Sequence, residues 1–293
     1  MQPQHAKPQY ADLLGSLGYE LVVEVTNRRG TALLKVSQGE SLYALKLNVP
    51  DPAENVYDTV LLIKREASVL KRLGGLVHDL YVNHGQHNST HWLLLRWLDG
   101  ESVSLPSKLY RSMPDEQQKK IAFLKLFVSI LEKYAAFHGA GYLHGDVQPH
   151  HIFMVSEVPA VIDWGLGKHV ADVDCVYRGG LAHFASPEVA RGMIERASNI
   201  PYDQLSEIYS IAAMFFVLFT GITPVNYGAD DPMSVPLEQK LRCITQSNLT
   251  SFREAGSLLF PELELVLQKC LSSNRDERLS TTEFLKKLQE IRV

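Results

Sequence analysis

Four charged residues, set far apart in the chain, have the types and order that chemistry on a phosphate requires. The segment His144-Gly145-Asp146-Val147-Gln148-Pro149-His150-His151 places Asp146 on a tight loop after a long apolar helix. Seventeen residues later comes Ile162-Asp163-Trp164-Gly165, an acid before a glycine. Phosphoryl transfer uses such a pair: one carboxylate accepts or orients the proton of the attacking hydroxyl, and the other holds the magnesium that neutralises the phosphates. Upstream, Tyr43-Ala44-Leu45-Lys46 ends an apolar strand, and Glu66 follows twenty residues on in the middle of a helix. A lysine held by a glutamate can reach the α- and β-phosphates of a nucleotide. Taken singly, H-G-D, a strand-end lysine and a helical glutamate are ordinary surface features. Their joint order gives them meaning.

Those residues need a scaffold, and the hydrophobic patterning supplies one. The first ~100 residues read mainly as strands with one helix. Leu21–Val25, Ala32–Val36 and Ser41–Leu47 are β-rich and separated by turn signals at Asn27–Gly30 and Gln38–Gly39. From Asp58 to Leu73 the apolar residues Val60, Ile63, Ala67, Leu70 and Leu73 recur at helical spacing. His91–Leu98 is a further strand, closed by Asp99-Gly100. From Asp115 onward helices dominate, above all Ile121–His138 and Leu205–Thr220, with strands around Ile152 and Val161. The change from β-rich to helical falls at Asp99–Ser107. The pattern therefore predicts an α+β chain of two lobes around one cleft, where ligands bind.

Bulk composition narrows the partners. The 293 residues carry 29 basic and 33 acidic side chains, a net charge of −4, which gives no footprint for nucleic acid or an anionic membrane. Hydrophobic residues are 45%, enough for a large core. Cys175, Cys243 and Cys270 are too far apart for a C-x-x-C zinc or disulfide framework, and they suggest a reducing compartment. The start M-Q-P-Q-H-A-K-P lacks the apolar core of a secretory signal. The apolar run Ile211–Phe219 is shorter than the roughly 20 residues a bilayer requires. A cytoplasmic protein with no membrane span is the expectation.

The chain resembles a eukaryotic-like (Hanks-type) protein kinase over nearly all its length. Y-A-L-K resembles the third-strand lysine motif, and Glu66 the C-helix glutamate. H-G-D-V-Q-P-H-H resembles the catalytic loop, and D-W-G the magnesium motif. Gly180 to Glu188, G-L-A-H-F-A-S-P-E, resembles the end of the activation segment. Ser206-Glu207-Ile208-Tyr209-Ser210 resembles the start of the F-helix, and Arg278 the late arginine that pairs with Glu188. The resemblance implies a bilobal protein-kinase fold, with an antiparallel N-terminal sheet and C-helix and a mainly helical C-lobe. Its N-lobe would span about 1–98, its hinge about 96–102 and its C-lobe about 103–293. It implies ATP and Mg2+ as cofactors, and a protein substrate. Asp146 and Lys46 would be catalytic. Lys46, Glu66, Gly30, Ala44, Arg96, Leu98 and Phe153 would bind the nucleotide, with Leu95 as gatekeeper and Trp164 and Leu70 in the apolar stack. Asp163 and His151 would hold metal.

The departures set the alternatives. Only Gly30 survives of the three phosphate-loop glycines in Val25-Thr26-Asn27-Arg28-Arg29-Gly30, so Arg28 and Arg29 would supply charge in place of amides. His151 stands where the family has asparagine, and imidazole suits Mn2+ better than Mg2+. Gln148 replaces the catalytic-loop lysine, Leu181 the P+1 threonine and Glu207 the F-helix aspartate. Gly145 replaces the arginine that would meet a phosphorylated activation loop. Between Lys168 and Ala185 only Tyr177 bears a hydroxyl, so activity independent of loop phosphorylation is expected. The leading reading is an active phosphotransferase. A pseudokinase that binds nucleotide or a partner is the alternative, and the arginine-free loop also resembles small-molecule kinases.

Overall fold

The computed structural model describes residues 8–28, 30–49, 58–229 and 231–293. Arg29 of the expected phosphate loop and the start of the chain lie outside them. The chain divides into two compact units, Met1–Asp99 and Gly100–Val293.

The first unit holds α1 (Pro8–Leu17), β1 (Glu20–Arg28), β2 (Thr31–Gln38), β3 (Ser41–Asn48), α2 (Thr59–Leu73), β4 (Tyr81–His87) and β5 (Thr90–Arg96). Its antiparallel sheet has the order β1-β2-β3-β5-β4. Strand alternation sorts the side chains by face. On one face Ala32, Leu34, Val36, Leu45, Leu47, Trp92 and Leu94 form an apolar cluster. The opposite face carries Ala44, Lys46, Leu93 and Leu95, because Lys46 pairs with Leu93 and Ala44 with Leu95 in register. Asp58 caps α2 by accepting from the Val60 and Leu61 amides, and Gly74 at φ 49° ends it.

Two elements of this unit differ from the expectation of strands plus one helix. Helix α1 seats Tyr10, Leu13 and Leu14 in the apolar cluster of the sheet, so the unit has a second helix. Burying each such side chain is worth about 1.5–3 kcal/mol, which stabilises a ten-residue helix too short to persist alone. Strand β4 is the other addition. Its Y-V-N-H-G-Q-H sequence is polar because it lies at the sheet edge.

The second unit holds β6 (Glu101–Ser102), α3 (Ser104–Ser112), α4 (Glu116–Gly139), β7 (Tyr142–Leu143), β8 (Ile152–Val155), β9 (Val158–Val161), β10 (Lys168–His169), α5 (Pro187–Ile194), α6 (Gln204–Thr220), α7 (Leu237–Gln246), α8 (Pro261–Cys270) and α9 (Thr281–Glu290). Helix α6 is buried on nearly every side from Ser206 to Phe219, the mark of an interior helix. Phe127 of α4 stacks on its Phe215 at 4.2 Å, and Phe123 packs against its Phe219 at 5.0 Å. Two small ladders, β6-β8-β9 and β10-β7, frame the segment that carries the two acids. No helix among the described residues is long and apolar enough to cross a membrane.

Candidate active site

In the first unit, Lys46 lies at the middle of the sheet on β3, and Glu66 lies at the middle of α2. Lys46 Nζ donates to Glu66 Oε2 at 2.6 Å, and the glutamate is 1% exposed. A buried carboxylate needs such a partner, and the pair fixes the ammonium over the Ala44–Lys46 face. Leu33 of β2 pairs with Lys46 in register and shares that face. The sequence reading missed it, although its alternation with Ala32 and Leu34 carried the signal. Gly30 sits at φ 71° between β1 and β2, whose ladder runs to Arg28↔Thr31. Arg96 closes β5 with its amide bonded to the Leu80 carbonyl at 2.9 Å, and Leu98 follows, half-buried.

The second unit brings Asp146, His151 and Asp163 together. Glu207, at the start of α6, sets the frame. It is wholly buried and accepts from the amides of His144 (2.9 Å) and Gly145 (2.8 Å), the Tyr202 hydroxyl (2.8 Å) and His138 Nε2 (3.0 Å). Burial alone would raise its pKa, but the His138 hydrogen bond and charge outweigh that and hold it below the ordinary carboxylate value. His144 is buried as well. Its Nε2 donates to the Ile162 carbonyl at 2.9 Å, and its Nδ1 accepts the Asp146 amide at 3.2 Å. Burial, then the neighbouring His151, lowers its pKa, in keeping with a neutral ring that acts as both donor and acceptor.

Asp146 is thereby aimed. Gln148 Nε2 donates to its Oδ2 at 3.1 Å, and the Leu181 amide approaches Oδ1 at 3.4 Å. These two hydrogen-bond donors are both neutral. His151 Nδ1 donates to the Asp146 carbonyl at 2.9 Å, which fixes the proton on that nitrogen, and Nε2 then faces Asp163 Oδ2 at 3.4 Å. Asp163 itself holds a left-handed backbone, φ 63° and ψ 66°, a conformation that costs a residue with a Cβ about 1–3 kcal/mol and is kept where function requires it. Trp164 anchors the turn, buried against Phe137 and His144 at 4.8 Å each, with its Nε1 donating to the Val161 carbonyl. Phe153 lies half-buried on β8, opposite Ala160.

The expected Glu188–Arg278 pair is bidentate, 2.7 and 2.8 Å, with Ser206 Oγ donating to the same carboxylate. Sequence reasoning missed His138, Leu33 and the inward role of Tyr177, whose hydroxyl donates to the Gly145 carbonyl at 3.0 Å. Among the described residues no group of three or more His, Cys, Asp or Glu forms a ready metal cage. One oxygen and one imidazole nitrogen 3.4 Å apart nonetheless fit a single ion, since two donors at about 2.1 Å can span up to about 4.2 Å.

An antiparallel sheet that carries a lysine–glutamate pair, and a helical unit that presents paired acids, are the elements of a protein-kinase fold. The profile of the protein kinase domain family matches residues 31–288, and the chain belongs to that family, as a Hanks-type member. Among its relatives is the serine/threonine-protein kinase PknB of Mycolicibacterium smegmatis, 26% identical over 291 residues, 95% of this chain and 42% of the relative. Probable serine/threonine-protein kinases of Clostridium perfringens and Clostridium acetobutylicum are 22% and 28% identical, over 64% and 61% of this chain and 26% of each relative. The chain thus spans less than half the length of these relatives. The match begins just after the glycine-poor turn.

Proposed function

We propose that the chain is an ATP-dependent phosphotransferase that moves the γ-phosphate of ATP to a hydroxyl on a protein, in the cytoplasm, with a divalent ion. The observation that carries this reading is the Asp146 carboxylate, oriented by Gln148 and Leu181 and neighboured by His151, whose other ring nitrogen faces Asp163. Asp146 takes or orients the proton of the acceptor hydroxyl. Lys46, steadied by Glu66, neutralises the α- and β-phosphates. Leu33, Ala44 and Leu95 offer an apolar face to the base, with Phe153 as the partner surface, the Arg96 carbonyl and Leu98 amide as its polar contacts, and Gly30 beside the phosphates. Asp163 and His151 would hold Mg2+ or Mn2+, which when bound neutralises charge on the phosphates. Protein as acceptor rests on the kinase relatives and on the Glu188–Arg278 pair that supports the end of the activation segment.

The glycine-poor sequence Val25 to Gly30, with Gly30 its one glycine, favours a second reading, a pseudokinase that binds nucleotide without transfer. Purified protein with labelled ATP decides between them. Wild type should transfer phosphate, whereas Lys46→Met and Asp146→Asn should lose transfer by several orders of magnitude, with Asp146→Asn still binding ATP. Equal, null transfer by wild type and Asp146→Asn with both metals would establish the pseudokinase.

A further inference from the structure

Gly145 creates a mechanical problem for the residue beside it. Glycine adopts φ 79° without strain, yet it is also the most flexible residue type, and Asp146 hangs on it. The structure pins Gly145 from three sides. Glu207 Oε2 takes its amide at 2.8 Å, and the Leu166 carbonyl closes on its Cα so tightly that a Cβ would lie 2.5 Å away. The third contact comes from the activation segment, where the Tyr177 hydroxyl donates to the Gly145 carbonyl at 3.0 Å.

Tyr177 is built to hold that bond. It is 4% exposed and packs with Leu143, Ala185, Val189, Ile200 and Tyr202. Its amide donates to Asn199 Oδ1 at 2.8 Å, and its carbonyl accepts the Ile200 amide at 2.6 Å. Its ring lies 4.4 Å from that of Tyr202, whose hydroxyl reaches the same Glu207 oxygen that holds the Gly145 amide. Tyr177, Gly145, Glu207 and Tyr202 therefore close a ring of contacts that ties the activation segment, the catalytic loop and α6 together.

We infer that Tyr177 is a positioning residue: its hydroxyl holds the Gly145–Asp146 turn in the working geometry and takes the place of a phosphate–arginine link across the activation segment. This rests on the reading of Asp146 as the base. The side chain is the sole hydroxyl from Lys168 to Ala185 and it points inward, so the segment offers no exposed acceptor for a switch phosphate. A phosphate on Tyr177 would put about −1.5 to −2 charges in a packed core. The segment is therefore docked as synthesised.

Tyr177→Phe removes the hydroxyl and keeps the ring. Amide hydrogen exchange, thermal unfolding and steady-state kinetics of the full chain test the inference together. In the variant, exchange should rise at Gly145 and Asp146 and stay at the wild-type level in α4 and α8. The unfolding midpoint should stay close to wild type. Turnover should fall on the order of tenfold with the KM for ATP unchanged, since one hydrogen bond to the loop is lost. Phosphatase treatment of wild type should leave turnover unaltered. Unchanged exchange at Gly145 in Tyr177→Phe would overturn the inference. So would exchange that rises uniformly with a lowered midpoint, because Tyr177 would then be core packing alone. If wild type transfers no phosphate, the Asp146 reading falls, and the exchange arm still decides whether Tyr177 holds the turn.

Discussion

Single atoms decide much at this site. Gly145 shows this best, because the absence of the family's arginine was legible in the sequence and its cause was not. Its positive φ and the Leu166 carbonyl leave no room for a Cβ. Gly145→Ala is expected to cost about 1–3 kcal/mol and to displace Asp146, read as a lower urea midpoint with reduced transfer. Gly145→Arg should behave likewise and should not make activity depend on phosphorylation. A variant of either kind with wild-type stability and transfer would show that the turn tolerates a side chain. His151 is the second case. A histidine at the asparagine position was legible in the sequence, and its tautomer, fixed by the Asp146 carbonyl, emerged only from the folded loop. A nitrogen donor favours Mn2+ over Mg2+ relative to an amide oxygen. His151→Asn should keep or raise transfer with Mg2+ and lose any advantage of Mn2+, measured as the ratio of the two rates. An unchanged ratio would remove His151 from the metal's ligands.

At the scale of elements, long patterns were readable and short or polar ones were not. Helix α6 announces itself through a nearly unbroken apolar run, and α2 through its face of Ile63, Ala67, Leu70 and Leu73. Helix α1 has ten residues with Gly15 inside, and it forms because the sheet receives Tyr10, Leu13 and Leu14. The activation segment is held at two points. Tyr177 bonds the Gly145 carbonyl from its middle, and Glu188 on α5 fixes its close through Arg278, whose guanidinium is fully buried. Burial would raise the Glu188 pKa, but the hydrogen bonds and charge of Arg278 outweigh it and bring it down to about 2 from the ordinary 4.5. A depressed carboxylate pKa adds stability that is complete above the unfolded value and is lost as pH falls through the folded one. Glu188→Gln should therefore destabilise the protein by about 3 kcal/mol at pH 7, the low end for a broken buried pair because a quarter of the glutamate side chain is exposed. The gap to wild type should narrow between pH 4.5 and 2, measured by urea unfolding across that range. A gap that is flat with pH would mean that Glu188 acts through shape rather than charge.

Across the whole molecule, the lysine–glutamate pair lies in one unit and the paired acids in the other, and the proposed function draws on both. Binding and catalysis can be separated through stability alone, because a ligand that binds only the folded chain stabilises it by mass action. With Mg2+ and a non-hydrolysable ATP analogue at about a hundred times Kd, the gain is about 2.7 kcal/mol, seen as a raised unfolding temperature. Under the proposed function Lys46→Met and Asp163→Asn each remove a charge assigned to the phosphates, so both should lose most of that gain. His151→Asn should lose little, since in the proposed function Asp163 would still hold the ion. Asp146→Asn should keep the gain in full, because an amide of the same shape retains the loop and forfeits only the proton acceptor. The order of the four shifts is the test. A nucleotide that stabilises Lys46→Met and Asp163→Asn as well as wild type would be bound elsewhere on the chain, and the assignment of Lys46 and Asp163 to its phosphates would be wrong.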